Sequence, residues 1–309
     1  MNRFGFINRR TGVYVFLVLA LSYAVYYLIG QAGRVDRALH FSPFYAVSIV
    51  VAQLMFWLTY SLLWRRLIIR VALIDITLWE SFRQLNLLNI GKYLPGKIWG
   101  VIARGASLSD KGVTATSAIV ATCIEQTLVL HSAVVVSAIL FASLHPSWAT
   151  TTPALLSMMT LGLGSLLLKF AFRLYLYLIK PNANVIDTQG IGLISTFTYL
   201  KFALGHCLGW IVNGVLFAGI YHAFFDVSPT LQLLDNLILA NTIGVTLGFL
   251  AIFAPGGIGV REAATSGILT LVMPLEDAVM LAVLFRLWLL LTDILVGALV
   301  LLGARHRPT

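Results

Sequence analysis

Residues 89–100 read NIGKYLPGKIWG, in which a glycine, four further residues and then Gly96-Lys97 follow the spacing of a nucleotide-binding P-loop. A P-loop also needs Ser or Thr directly after the lysine to hold Mg²⁺, and a buried strand before the glycines. Ile98 stands at the hydroxyl position. The stretch is therefore not a P-loop, and the composition of the rest of the chain indicates what it is instead.

The composition is that of an integral membrane protein. Of the 309 residues, 59% are hydrophobic and only 11% are charged, and the mean hydropathy is +0.92. Soluble globular domains carry about 25% charged residues. Backbone inside lipid must satisfy its own hydrogen bonds, so apolar runs of about 20 residues are predicted to be transmembrane helices.

Six apolar runs are long enough to cross a bilayer, and two further apolar segments are interrupted by Pro-Gly. The six runs are residues 13–30, 44–64, 114–144, 153–179, 202–225 and 278–302. The interrupted segments are residues 85–106 and residues 237–273. Because proline and glycine break a helix, each interrupted segment is predicted to form two half-helices. The predicted fold class is an all-α polytopic membrane protein with about six full spans and two re-entrant hairpins.

The orientation of the spans follows from Lys and Arg near their ends, because cytoplasmic loops carry an excess of both. The basic residues cluster within residues 3–10, 65–70, 169–180 and 305–307. These clusters can all be cytoplasmic only if neither interrupted segment crosses the membrane. The first hairpin is therefore predicted to enter from the cytoplasm and the second from outside, with both termini in the cytoplasm.

The two Pro-Gly motifs also align with each other. YLPGKIWG, residues 93–100, matches FAPGGIGV, residues 253–260. Glu125 and Arg286 follow the two motifs at nearly equal distances, each inside the next apolar run. The order span, span, hairpin, span thus occurs twice, starting from opposite sides of the membrane.

This order predicts one integral membrane domain over residues 1–309 with a three-plus-three inverted repeat. Repeat one covers about residues 13–144 and repeat two about residues 153–302. Inverted repeats with broken helices are the architecture of many secondary transporters, in which substrate binds near the midplane at the repeat interface.

The predicted ligand of this interface is an anion. A half-helix that begins inside the membrane points free N–H groups and its positive dipole end at the site. The residues predicted to form the hairpin tips are Pro95, Gly96, Pro255, Gly256, Gly257 and Gly259. Full positive charge near the tips comes from four residues that are predicted to bind substrate: Lys97, Arg104, Arg261 and Arg286.

Structural roles for several of these residues stay open at this point. Pro-Gly pairs can be helix kinks only, and Lys97 can extend to the membrane interface. Arg286 can pair with Glu125, or with Asp293 seven residues further along its own helix. The candidate charge partners or proton-coupling residues are Glu125, Glu262, His131 and Asp293. The sequence contains no motif with the spacing of a metal site, so no metal and no cofactor are expected.

These motifs resemble those of the lysylphosphatidylglycerol synthase transmembrane-region family, also called the flippase-like domain family. The resemblance rests on NIGKYLPGKIWG with Arg104, on APGGIGVREA with Arg261 and Glu262, and on LFRLWLLL around Arg286. In multiple peptide resistance factors this domain is a flippase for aminoacylated phosphatidylglycerol and precedes a cytosolic aminoacyltransferase domain. Other relatives are fused to, or thought to act beside, glycosyltransferases that use polyprenyl phosphates.

The resemblance implies the translocating half of such a protein, because the sequence ends at Thr309 without an aminoacyltransferase. The family residues carried over by position are Pro95, Gly96 and Arg104 in the first hairpin, Pro255, Gly256, Gly257, Gly259, Arg261 and Glu262 in the second, and Arg286.

We therefore expect a transporter in the cytoplasmic membrane of a bacterium or archaeon. It would move an anionic lipid, either an aminoacyl phospholipid or a polyprenyl-phosphate-linked sugar, between leaflets through a cavity between the hairpins. Membrane lipids are the expected partners, and no nucleic acid is expected.

Two alternatives stay open. The first is a non-transporting membrane partner of a cytosolic glycosyltransferase or synthetase, which would bind that enzyme through residues 65–83 or 180–190. The second is an intramembrane transferase that acts on a lipid carrier. Such an enzyme needs acids or a metal at a membrane face, and the sequence has no HExxH, Cys-pair or Ser-nucleophile motif, so enzyme activity is not expected.

Overall fold

The computed structural model describes residues 43–93, 98–109, 111–144, 195–225, 227, 229–251 and 254–303. These residues form eight α-helices and one 3₁₀ turn, Pro255–Gly257, and no strand. The helices are α1 (Pro43–Ala72), α2 (Leu78–Gly91), α3 (Trp99–Ser109), α4 (Ala115–Leu144), α5 (Thr196–Phe225), α6 (Leu231–Leu250), α7 (Val260–Leu269) and α8 (Leu275–Gly303).

The long helices agree with the predicted full spans. α1, α4 and α5 have 30 residues each and α8 has 29, which corresponds to about 45 Å of helix. With the 20-residue α6, five helices in the described part of the chain are long and apolar enough to cross a membrane. The prediction of an all-α polytopic membrane protein is confirmed. The predicted spans 13–30 and 153–179 lie outside the described residues.

Glycines on α5 bring it into close contact with α1. A Cβ added to Gly205 would overlap the side chain of Leu63, and a Cβ added to Gly209 would overlap the ring of Tyr60. Small residues at this spacing let two membrane helices pack closely, because lipid supplies no hydrophobic force to hold them together. α1 and α5, the second predicted span of each repeat, are thereby held in close contact.

Each interrupted segment folds back on itself. A Cβ on Gly91 would overlap the backbone of Gly100, so α2 and α3 cross in backbone contact. In the second segment a Cβ on Gly257 would lie 2.8 Å from the Cα of Gly248 on α6. The two glycines of each pair are nine residues apart, so the chain reverses direction within one short connection. Pro95, Gly96 and Lys97 at the first turn lie outside the described residues.

The hairpin arms begin earlier than predicted. The first starts at Leu78 rather than residue 85, because Thr77 accepts a hydrogen bond from the N–H of Glu80 and donates its own N–H to the Glu80 carboxylate. The second starts at Leu231 rather than residue 237, where Thr230 caps α6. With 20 residues, α6 is a full-length arm and not a half-helix, whereas α7 has only 10 residues.

The neighbours of the two hairpins correspond. α4 packs against α6, and α8 packs against α2, so the last span of each predicted repeat contacts the first arm of the other hairpin. α1 and α5, which occupy the same place in the two repeats, pack against each other. Reciprocal contacts of this kind are typical of two units related by a two-fold axis. The duplication itself stays a prediction.

Candidate functional site

The two hairpins meet at their tips. The backbone N–H of Gly256 donates a hydrogen bond of 2.8 Å to the carbonyl oxygen of Lys92. From α8, Nη2 of Arg286 donates a 2.7 Å hydrogen bond to the carbonyl oxygen of the same glycine. A Cβ on Gly256 would lie 2.7 Å from the Tyr93 ring, and its φ of 61° is in the left-handed region. Glycine is therefore required where the hairpins touch.

Five charged side chains surround this contact and form what we call the tip cluster: Lys92, Arg261, Glu262, Arg286 and Asp293. Nζ of Lys92 lies 2.7 Å from Oδ2 of Asp293, which also accepts a 2.9 Å hydrogen bond from the Tyr93 hydroxyl. Nε of Arg286 lies 3.3 Å from Oε1 of Glu262. Two of the three cations thus have a carboxylate each.

Arg261 is the cation in excess. Its side chain is buried, with 8% of the residue exposed, and its Nη2 donates a 3.3 Å hydrogen bond to Oδ1 of Asn241. Among the described residues no carboxylate forms an ion pair with it. A cation removed from water without a counter-charge is costly, so an anion arriving beside it is stabilised.

The N-terminus of α7 is occupied by a carboxylate of the chain itself. The N–H of Gly259 donates a 2.6 Å hydrogen bond to Oε2 of Glu262. A carboxylate in this position satisfies the N–H of the N-cap residue and interacts favourably with the positive end of the helix dipole. Anion binding by the backbone at this helix start stays a prediction, and the Arg261 side chain adds positive charge beside it.

Arg104 belongs to a different cluster, in which its charge is neutralised. Its side chain is 0% exposed and forms an ion pair with Glu125. Its guanidinium stacks on Trp64, with Cζ 3.8 Å from the ring centroid, and its Nε donates to the carbonyl oxygen of Gln84 at 3.3 Å. A buried, ion-paired guanidinium is typical of a structural role, and substrate binding by Arg104 stays a prediction.

The structure also gives Arg286 a partner that the sequence analysis did not name for it. Glu125 is taken by Arg104, and Asp293 by Lys92 and Tyr93. Arg286 pairs instead with Glu262, which lies in the first turn of α7. Arg286 and Asp293 lie two turns, or about 10 Å, apart on the same face of α8. Arg286 also lies near the first hairpin, with its Cζ 5.4 Å from the centroid of the Tyr93 ring.

His131 lies outside the tip cluster. Its Nδ1 forms a hydrogen bond with the hydroxyl of Tyr199, which joins α4 to α5. Interhelical hydrogen bonding of this kind is the usual role of a lone histidine in a membrane helix. Proton coupling by His131, Glu125, Glu262 or Asp293 stays a prediction.

Three residues of the site were not predicted from the sequence as site residues, and one of them is Lys92, which pairs with Asp293. Tyr93 joins the first hairpin to Asp293, and Asn241 holds Arg261. Asn241 is 0% exposed on α6. The signal available in the sequence was a polar side chain inside an apolar run, which is costly in lipid and therefore marks a specific contact.

The described part of the chain contains no group of three or more His, Cys, Asp or Glu side chains that could hold a metal ion. Cys123 and Cys207 are free thiols.

Comparison with known proteins adds one match. The family model described as "Lysylphosphatidylglycerol synthase TM region" matches residues 12–297. No curated protein and no solved structure matches the chain.

Proposed function

The chain belongs to the lysylphosphatidylglycerol synthase TM-region family, and from this premise we propose that it is a flippase that moves an anionic lipid between membrane leaflets. The family indicates a membrane domain related to lipid handling. In the proposed mechanism the lipid headgroup enters the tip cluster from the cytoplasmic membrane, while the acyl or prenyl chains stay in the surrounding lipid.

The observation that carries this proposal is the excess positive charge at the contact between the hairpins. The tip cluster holds three cations and two carboxylates within the described residues, so one positive charge has no partner. An isolated charge in the bilayer core is costly and marks a functional pathway more often than a structural one. An anionic headgroup is the partner that this charge lacks.

Movement of the lipid requires the hairpin tips to separate. The first hairpin is held to α8 by Lys92 and Tyr93 on Asp293, and the second by Gly256 and Glu262 on Arg286. α8 thus contacts both tips through Arg286 and Asp293, which lie two helical turns apart. In the proposed cycle one repeat rocks against the other, as in other inverted-repeat transporters. The contacts of α8 with one tip break before its contacts with the other.

The chemical class proposed for the substrate is a lipid that carries a phosphate. Aminoacyl phospholipids and polyprenyl-phosphate-linked sugars both fit this class. Arg is suited to it because the guanidinium presents several N–H donors in a fixed plane that matches phosphate oxygens.

The test is lipid translocation in vesicles containing the purified protein and fluorescent phosphatidylglycerol, read out with a membrane-impermeant quencher. Arg261→Ala is expected to lower the rate by roughly tenfold or more, the equivalent of one charge-assisted hydrogen bond. Arg66→Ala is the matched control, because it removes the same charge from an exposed position on α1. Equal rates for Arg261→Ala and the wild type would overturn the assignment, as would a wild-type rate no higher than that of empty vesicles.

A further inference from the structure

An amide holds Arg261 where carboxylates hold its neighbours. Oδ1 of Asn241 accepts from Nη2 of Arg261 at 3.3 Å, while Nδ2 of Asn241 donates to Oδ1 of Asn213 at 2.6 Å. Asn241 is 0% exposed and Asn213 is 5% exposed. The two amides lie on α6 and α5, so the contact joins both helices to the start of α7.

The orientation of the Asn241 amide is set by this chain of contacts. Its NH₂ group is used by Asn213, so its oxygen is the atom that faces Arg261. Asn and Asp have nearly the same shape, and a carboxylate at this place would hold the guanidinium equally well. It would also neutralise the guanidinium, whereas the amide leaves the full positive charge in place.

Most of the Arg261 guanidinium has no hydrogen-bond partner among the described residues. Of its five N–H donors, one is used by Asn241, and the described residues give the others no hydrogen bond. The ring of Phe285 covers one side, with its centroid 5.4 Å from Cζ. An apolar wall beside free donors lowers the local dielectric constant and strengthens a charge-assisted hydrogen bond to an oxyanion.

We propose that Asn213, Asn241 and Arg261 form a phosphate-binding subsite in which Asn241 is the positioning residue. Asn241 holds the guanidinium in place but is neutral, so the negative charge that balances Arg261 is left for the phosphate to supply. The inference rests on the proposed function for the place of this subsite in a transport cycle, and it adds the residues that position the guanidinium toward the phosphate. The same chemistry applies to the phosphate of a lipid headgroup and to free phosphate.

The experiment is a binding titration of the full chain in neutral detergent, followed by its tryptophan fluorescence. The probes are phosphatidylglycerol, inorganic phosphate and, as a lipid without phosphate, diacylglycerol. Asn241→Asp is expected to weaken phosphatidylglycerol binding by roughly tenfold or more, because the new carboxylate takes the place of the ligand's charge. Asn236→Asp is the control, since it puts the same charge at a buried position on the same helix, where the Asn236 amide donates a hydrogen bond to the carbonyl oxygen of Gln232.

A purely structural role for Asn241 predicts a different result. The Asp variant keeps the acceptor for Arg261, and a flip of the Asn213 amide supplies an N–H donor to the second carboxylate oxygen, so the unfolding temperature should be maintained while phosphate affinity is lost. If the Asp variant does not fold, Asn241→Ala serves instead. It removes the positioning contact without adding charge and is expected to weaken phosphatidylglycerol binding several-fold.

Either source of phosphate would support the subsite. Inorganic phosphate that binds and loses affinity in Asn241→Asp identifies free phosphate as sufficient, and a loss confined to phosphatidylglycerol identifies the lipid headgroup. Equal binding of phosphatidylglycerol to Asn241→Asp and the wild type overturns the proposal, and so does equal binding of diacylglycerol and phosphatidylglycerol. If the predicted binding pattern is found but no lipid is translocated in vesicles, the flippase assignment fails and the subsite stands.

Discussion

Each hairpin is tied to the span that follows it by one ion pair, and the two pairs have opposite polarity. In the first hairpin Arg104 on α3 pairs with Glu125 on α4. In the second, Glu262 on α7 pairs with Arg286 on α8. The same architectural position is thus filled by a base on the hairpin in one half and by an acid in the other.

The surroundings of the two pairs differ more than the pairs themselves. The side chains of Arg104 and Glu125 are 0% and 2% exposed, whereas those of Arg286 and Glu262 are 7% and 19% exposed. The first pair is charge-balanced and packed under Trp64. The second lies beside Arg261, which has no carboxylate among the described residues. On this difference we interpret the first pair as a structural lock, whereas the second borders the proposed binding site.

The largest expected effect is on the lock. Arg104→Ala leaves the buried Glu125 without its partner, and we expect the free energy of unfolding to fall by about 3–5 kcal/mol. Denaturant unfolding in detergent measures it. Replacing both residues by leucine should recover much of the loss, because Nη2 of Arg104 and Oε1 of Glu125 have no hydrogen-bond partner among the described residues. A stable Arg104→Ala protein that no longer translocates lipid would instead place Arg104 in the binding site.

The second effect tests the close crossing of the hairpin arms. Gly91→Ala forces a Cβ into the backbone of Gly100, and we expect a loss of about 2–3 kcal/mol from overpacking. Gly267→Ala on α7 is the control, since nothing lies within 4 Å of its added Cβ. That change should be neutral or stabilising by up to about 1 kcal/mol. Equal unfolding curves for the two variants would show that the arms of the first hairpin do not touch in this way.

The third effect distinguishes the role of Glu262 in the tip cluster from that of Glu125 in the lock. Glu262→Gln keeps an acceptor for the N–H of Gly259 but raises the positive charge in excess from one to two. We expect phosphatidylglycerol to bind several-fold more tightly and to be released more slowly, so the translocation rate falls while the dissociation constant decreases. Glu125→Gln, the matched change in the lock, should reduce stability and leave that constant unchanged. Tighter binding in both variants would mean that Glu125 also lowers the positive electrostatic potential at the tip cluster.

The smallest effect concerns the starts of the hairpins. Thr77→Ala removes the cap of α2 and Thr230→Ala that of α6, and each should cost about 1 kcal/mol. Thermal unfolding of the two variants measures both. Equal costs would leave the ion pairs as the main difference between the hairpins, and a much larger cost for either cap would contradict that view.

Acid should weaken the start of the first hairpin. Partial burial of Glu80 would by itself raise its pKa, but the ion pair with Lys111 and the hydrogen bonds from Thr77 outweigh it, so the pKa of Glu80 lies below its ordinary value. The resulting stability is present above the ordinary carboxyl pKa and is lost as the pH falls through the lowered one. Glu80→Gln should remove this part of the acid sensitivity, and an unchanged pH profile of unfolding would count against the assignment.

Much of the fold could be predicted from the sequence. Apolar runs predicted the long helices, and the Pro-Gly pairs predicted an interruption in each hairpin segment, because both depend on local chain properties. The starts of α2 and α6 could not be placed, since polar residues such as Gln84 and Asn236 look like loop until the buried contacts that satisfy them are known.

The site was predictable as a set of charges but not as a set of pairs. Arg261 and Arg286 stand out because a cation in an apolar run is costly. Their partners depend on contacts across long stretches of chain, as between Tyr93 and Asp293, which are 200 residues apart. The sequence therefore placed Arg104 in the same site as Arg261, and only the pairing with Glu125 shows that its charge is already balanced.

The hydrogen bond between the N–H of Gly256 and the carbonyl oxygen of Lys92 joins two parts of the backbone. Proline at position 256 would remove the donor, and any other side chain there would overlap Tyr93, so no substitution reports on this bond alone. Its amide proton, however, exchanges with deuterium only when the bond is open. Exchange at this one glycine would thus report how often the hairpin contact opens in the unmodified protein, and a lipid that holds the tips apart would be detected as faster exchange there.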